Sequence, residues 1–201
     1  MFVALTIGVP IVGSLLIAPI ARISERVRDA FATAIALLTA LFPLLLIPFA
    51  LSGGETAIHR ELGLGLDFVL IADALSVFMA IVSSGIGALI VVFSLDYVKN
   101  AEHRNEYYAM VLLFIGAMMG LVFSANLIFL YVFWEIAGIC SWRLIGFYRL
   151  REFVTKANKA FLVTFGGAVL MLVGFLQIFQ STGTFDMTAM RGYAVPPAAV
   201  L

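Results

Sequence analysis

Charge is scarce in this sequence. Only 12% of the 201 residues are Asp, Glu, Lys or Arg, and 12 acidic against 12 basic residues leave a formal net charge of zero. Soluble domains are about 25% charged and about 45–50% apolar, whereas this chain is 63% hydrophobic. A soluble domain of this size cannot hide that surplus, so it must face lipid. The even balance leaves no basic face for nucleic acid. Cysteine is almost missing. Cys140 alone excludes an internal disulfide and any multi-cysteine metal or iron–sulfur site; inside an apolar run, a lone thiol is a small packing residue. There is no phosphate loop, dinucleotide fingerprint, zinc spacing or nucleophile elbow. Soluble-type catalysis and a bound cofactor are therefore not expected. Nor is there a basic leader: Met1–Ile20 is apolar from its first residue and runs straight into Arg22, which reads as a retained first span.

Long apolar runs fill the chain. A helix needs about 20 apolar residues to cross the hydrocarbon layer, which places spans at 2–20, 30–51, 68–95, 107–123, 127–148 and 160–179. Continuous rather than alternating apolarity, and the lack of backbone partners in lipid, favour helix over strand. The expected architecture is an all-α polytopic bundle of about six spans. The third run is long enough to need tilt or an interfacial first turn around Asp73. Pro43 and Pro48 predict a kink in the second. Only Ser124-Ala125-Asn126 joins the fourth and fifth, which forces an antiparallel hairpin.

Lys and Arg concentrate in alternate connections: Arg22, Arg26 and Arg28; then Lys99 and Arg104; then Arg149, Arg151, Lys156 and Lys159. By the positive-inside rule these are cytoplasmic and the N-terminus is outside. His59 and His103 then lie on opposite sides and cannot share a metal. After Arg191 the chain turns apolar again, with Pro196 and Pro197 suited to a helix N-terminus. This reads as the opening turn of a seventh helix.

Glu135 is the main chemical signal. It lies about eight residues into the fifth span, roughly 12 Å deep at 1.5 Å per residue. A charge at the bilayer centre costs at least about 2.5–3.5 kcal/mol on insertion scales, so such groups face the bundle interior and have a task. Low dielectric penalises the ionised carboxyl while a nearby cation restores it, the balance a proton relay needs. Arg143, eight residues on, is about 80° around the helix and 12 Å along it. It either snorkels to the interface or tunes Glu135 through space. Lys156 and Lys159 serve topology and headgroup contact, or Lys159 joins a polar path from the cytoplasm. Asp73 stabilises a helix N-terminus through the dipole. Gly116-Ala117-Met118-Met119-Gly120 has the small-residue spacing of close helix contacts.

Around Glu135 the residues become specific. Phe133-Trp134-Glu135-Ile136-Ala137-Gly138-Ile139-Cys140-Ser141-Trp142-Arg143-Leu144-Ile145-Gly146-Phe147-Tyr148 resembles the helix with "WE…CS…LIGFY" of antiporter-like membrane subunits. These occur in respiratory complex I, Mrp-type cation/proton antiporters and membrane-bound hydrogenases. Asp73-Ala74-Leu75-Ser76, Ser124-Ala125-Asn126-Leu127, Lys159-Ala160-Phe161-Leu162-Val163-Thr164 and Gly183-Thr184-Phe185 are similar to the same family. The likeness covers roughly 67–184.

The resemblance implies that Glu135 is the membrane carboxylate of one antiporter-like channel, acting with a lysine on the seventh helix and further polar residues on later broken helices. The sequence stops where that helix is expected to open, so the chain is expected to hold the front part of a translocation unit. Complex I's distal subunit typically has an Arg and an Asp after the Lys-Ala-Phe…Val-Thr stretch. Here Phe165, Gly166, Gly167 and Ala168 stand there, more like the Mrp large subunit or a hydrogenase-type relative. Arg143 departs from the aromatic or aliphatic residue expected at its position and is a candidate for the charge missing from the sixth span.

The leading expectation is a proton- or cation-translocating subunit of a multi-subunit complex in a prokaryotic cytoplasmic membrane. It would not be catalytic alone, and could belong to a redox-driven pump of the NADH:quinone oxidoreductase or membrane-bound hydrogenase type. Its expected partners are sister membrane subunits, the bilayer, and protons or sodium, with Glu135, Lys159 and Arg143 as relay candidates. The alternative is a structural module that bridges subunits without carrying ions. A quinone-binding subunit is third, since no polar pair marks a quinone pocket.

Overall fold

The computed structural model describes residues 2–52, 56–60 and 67–190. Among the described residues, six helical segments are long and apolar enough to cross a membrane, as the apolar runs predict. They are α1 (Phe2–Ala21), α2 (Glu25–Leu45) continued by the short α3 (Ile47–Leu51), α4 (Ala74–Tyr97), α5 (Arg104–Phe123), α6 (Leu127–Ile145) and α7 (Arg151–Thr182). The stretch expected to open a seventh helix falls outside the described residues.

The helix boundaries show local chemistry that hydropathy misses. The second run breaks at Leu46, two residues before Pro48, because a proline within the helix removes a backbone donor. Leu46 N–H turns back to Pro43 O, and Ala50 N–H restarts the ladder on Leu46 O. The third run does not begin as helix. Phe68–Ala72 forms strand β2, antiparallel to β1 (Thr56–Arg60), with Ile58 opposite Leu70. A short apolar stretch containing Val69 and Ile71 satisfies strand and helix alike, and periodicity alone does not separate them. A reciprocal cap starts α4 at Ala74. Ser76 N–H donates to Asp73 Oδ1 at 2.7 Å, and Asp73 N–H donates to Ser76 Oγ at 2.8 Å. α7 begins nine residues before the expected span, because Glu152 and Lys156, one turn apart and 2.5 Å from each other, support a charged first stretch. It ends at Gly183, whose φ of 73° is the left-handed conformation that glycine adopts freely.

α5 is the central helix, packed by α1, α4 and α6, while α7 lies along α6. Two close approaches explain the small-residue spacing in α5. A Cβ at Gly116 would lie 2.6 Å from Ile11 Cγ1 and 3.2 Å from the Ile11 backbone nitrogen, and one at Gly120 would run into the Phe133 ring. Substitution at either position would force α1 or α6 away.

The bundle has two distinct ends. At one, called here the hairpin end, β2 is extended by the 124–126 turn and by 185–187. Ala125 N–H donates to Val69 O, Leu127 N–H to Phe185 O, and Met187 N–H to Ala125 O. The opposite end carries the arginines and is called the basic end.

Candidate functional site

α6 carries Glu135 in the middle of its apolar stretch. The residue is half-buried, and its Oε1 is buried without a hydrogen-bond partner among the described residues. Tyr131, one turn earlier on the same helix, places its hydroxyl close enough to interact with the carboxyl. Among the described residues no Lys, Arg or His forms an ion pair with it.

The direction Glu135 faces follows from Trp142. Seven residues apart on an α-helix, the two differ by only about 20° in azimuth and about 10 Å in height. Trp142 Nε1 donates to Asn158 Oδ1 of α7 at 2.9 Å, and its ring packs against Phe161 with centroids 5.7 Å apart. Glu135 therefore lies on the α7-facing side. The same rise along antiparallel α7 leads from Phe161 to Ala168, which is buried. The Phe165–Ala168 stretch is thus level with the carboxyl. A Cβ built at Gly138, one turn from Glu135 on α6, would meet nothing within 4 Å, while Gly166 and Gly167 of α7 are exposed and lie about 200° and 100° around that helix from Ala168.

The other relay candidates are not brought to Glu135. Arg143 forms an ion pair through Nε with Glu106 Oε1, in the first turn of α5. Glu106 Oε2 is held by Arg149 at 2.8 Å. Lys159 is exposed, adjacent to Asn158 and so about 10 Å nearer the basic end than Glu135. Lys156 pairs with Glu152. Asp73 is the α4 cap. His59 is on β1 and His103 precedes α5, at opposite ends of the bundle.

The Glu106 pair belongs to a larger network that hydropathy does not reveal. Arg28 is 3% exposed; its guanidinium donates to Asp29 Oδ1 at 2.8 Å and to Asn105 Oδ1 at 2.5 Å, and lies over the Tyr108 ring, 5.6 Å from its centroid. Arg104 donates to Glu25 at 3.1 Å and to Asp29 at 2.8 Å. These bonds tie α2 to α5, and Glu106 ties α5 to α6. A signal for this is present in the sequence: all three basic connections carry an acid within two residues of an arginine, in Arg28-Asp29, in Arg104-Asn105-Glu106 and in Arg151-Glu152, and the first two pairs enter the network. Counting only the basic residues for topology passes over it. Among the described residues there is no group of three or more His, Cys, Asp or Glu placed to hold a metal.

Two family models match the chain. One, described as the NADH:quinone oxidoreductase/Mrp antiporter transmembrane family, covers residues 124–199 and so includes all of α6 and α7. The other, described as the N-terminus of chain 5 of NADH-ubiquinone oxidoreductase (complex I), covers residues 61–108. The chain belongs to the antiporter-like subunits of the complex I-like family. It is 42% identical over 126 residues to a Na(+)/H(+) antiporter subunit of Alkalihalophilus pseudofirmus, covering 62% of this chain and 16% of that protein. It is 31% identical over 189 residues to a Na(+)/H(+) antiporter subunit of Staphylococcus aureus, covering 92% of this chain and 24% of that protein. This antiporter-like chain thus spans no more than about a quarter of the length of these relatives. Its fold is shared with a chain of the archaeal membrane-bound sulfane sulfur reductase, a respiratory membrane complex, at a TM-score of 0.90 and 22% identity, covering 98% of this chain and 41% of that one. It is also shared with the Mrp complex of Dietzia sp. DQ12-45-1b, at 0.83 and 24% identity, covering 99% of this chain and 22% of that one.

Proposed function

We propose that this chain contributes a proton-relay carboxylate, Glu135, to a cation/proton-translocating subunit of a multi-subunit membrane complex. The observation that carries the reading is the buried, unpartnered Oε1 of Glu135, in a helix wholly within the matched antiporter region. A carboxyl with one oxygen left unsatisfied in an apolar helix is costly, and a structural carboxyl would be expected to hold bonds across the helix interface, whereas Tyr131 beside Glu135 is on the same helix. The membrane is the prokaryotic cytoplasmic membrane, with the basic end in the cytoplasm and the N-terminus outside, as the distribution of Arg and Lys supports. The carried ions are protons and sodium, in line with the Na(+)/H(+) antiporter subunits that it resembles. The partners are sister membrane subunits of that complex. A change of about 1.4 kcal/mol in local electrostatics moves a carboxyl's protonation equilibrium tenfold, so modest rearrangement next to α6 can load and unload Glu135.

The test is sodium-driven proton movement in vesicles carrying the intact complex, measured by quenching of a pH-sensitive dye. Glu135→Gln keeps the shape, removes the titrating group, and is expected to lower the rate at least tenfold while the complex still assembles. An unchanged rate would leave only the structural-module reading.

A further inference from the structure

The hydrogen-bonding side chains that could reach Glu135 can be located helix by helix. α5 and α7 pack against α6. From Ala109 to Phe123, α5 has no polar side chain, and its Glu106, Tyr107 and Tyr108 stand in the first turns, at the basic end. From Ala160 to Thr182, α7 has no titratable residue. Its Thr164 hydroxyl donates to Ala160 O at 3.0 Å, and Gln177 lies nine residues past Ala168, about 14 Å nearer the hairpin end. α4 shares a groove with α6, but its Asp96 and Tyr97 are in its last turn, again at the basic end. On α6 itself, Arg143 is paired with Glu106 and Trp142 with Asn158. Trp134, Cys140 and Ser141 lie about 100°, 140° and 120° around the helix from Glu135.

Tyr131 remains. Four residues before Glu135, it is about 40° around α6 and 6 Å along it, the spacing at which side chains of one helix meet. It is half-buried, shares the α7-facing stripe with Glu135 and Trp142, and its hydroxyl interacts with the carboxyl. Glu135 Oε1, by contrast, is buried and unbonded among the described residues. One side of the carboxyl is thus open, and the other has a single neutral donor one turn toward the hairpin end. A phenol donates to an ionised carboxylate more strongly than to a neutral acid, so such a donor favours the ionised form. It does so without the fixed charge of a lysine or arginine, and a cation arriving at Glu135 can displace it.

We infer that Tyr131 is the positioning residue of Glu135: its hydroxyl holds the ionised carboxyl on the α7-facing side while no cation is near, and so sets the pH at which that carboxyl takes up a proton. The inference rests on the relay reading of Glu135, but its test reads the carboxyl directly. Dicyclohexylcarbodiimide, which adds to protonated carboxyls in apolar surroundings, is applied to the intact complex across a pH series, and the adduct at Glu135 is quantified by peptide mass spectrometry. Tyr131→Phe keeps the ring and removes the donor. Its half-labelling point is expected about one pH unit above that of the parent, a tenfold change in proton affinity, and the pH profile of transport is expected to move the same way. Tyr131→Leu, which removes ring and hydroxyl together, is expected to shift labelling as far as Tyr131→Phe does. Coincident labelling curves for the parent and Tyr131→Phe would overturn the inference, as would a shift in Tyr131→Leu alone, which would trace the effect to ring packing. The two failures are separable. An unchanged transport rate in Glu135→Gln removes the relay, whereas an unmoved labelling curve in Tyr131→Phe removes only the role of Tyr131.

Discussion

Glu106→Gln would strip a shared carboxylate from two arginines at once. Glu106 and Arg143 are 28% and 33% exposed at their side chains, and Arg149 is 46% exposed. Two charges 4 Å apart attract by about 4 kcal/mol at an effective dielectric constant of 20, but desolvation and side-chain ordering consume most of this. Exposed pairs net about 0–1 kcal/mol, and losing one partner of a fully buried pair costs about 3–5 kcal/mol. The Glu106–Arg143 pair lies between, at about 1–2 kcal/mol, while the more exposed Arg149 adds a few tenths. Arg143→Leu should cost only about 1 kcal/mol, because Glu106 keeps Arg149 and leucine suits the apolar helix. The double variant should be no worse than Glu106→Gln, giving a coupling energy of about 1 kcal/mol. A cooperative unit of about 150–250 residues shifts by about 2–4 °C for each kcal/mol and a larger one by less, so Glu106→Gln should lower the apparent melting temperature of the intact complex by no more than that for each kcal/mol lost. Fluorescence-detected size exclusion after heating reads this directly. Strict additivity of the two single variants would refute the pair. The pH profile of transport by Arg143→Leu should match the parent, because the guanidinium is committed to α5; a displaced profile would instead show that Arg143 acts on Glu135.

Gly120→Ala should destabilise the bundle by about 1–3 kcal/mol, because its Cβ would strike the Phe133 ring. Gly138→Ala, with open space around it, should be neutral or stabilise by up to about 1 kcal/mol through helix propensity; thermal melts of the two variants side by side check the contrast, and equal losses would contradict the packing at Gly120. Asp73→Ala removes the reciprocal cap with Ser76 and should cost about 1 kcal/mol. Its melting temperature should fall while transport per folded complex is retained; a selective loss of transport would give Asp73 a role beyond capping.

The number and type of the spans are legible because membrane insertion is decided by long apolar runs, and a run of that length survives any local detail. What escapes are features set by single side chains or by tertiary partners. Phe68–Ala72 is as apolar as a span, and only its pairing with Thr56–Arg60 and the start at Asp73 make it a strand. Arg151–Lys159 reads as a loop because of its charges, yet charged residues are good helix formers, and Glu152 with Lys156 makes that stretch a continuation of α7. At the site, the depth of Glu135 can be counted from the sequence. Its azimuth cannot; it needs the Trp142–Asn158 bond to fix which neighbour α6 presents it to. Arg143 leaves two readings open from sequence alone, since a helix-end arginine can snorkel or turn inward, and its partner Glu106 lies 37 residues away.

The placement of charge supports treating Glu135 apart from the remaining acids. Glu25, Asp29 and Glu106 take arginine partners at the basic end, and Glu152 takes Lys156. Asp73 caps α4, and Asp186 bonds Thr188 at the hairpin end. Each of these carboxylates lies at a helix terminus or connection, where a partner or water is within reach. Glu135 lies instead in the apolar middle of a span, with an oxygen that is buried and unbonded among the described residues, level with the buried Ala168 of α7 instead of a cation. Bundle stability alone would favour an aliphatic side chain at that position. A group retained against that preference, with Tyr131 of its own helix beside it and no ion pair among the described residues, is free to exchange partners when a cation is brought near it or withdrawn. That freedom is what a relay requires and what a scaffold has no use for, so Glu135→Gln separates the two readings.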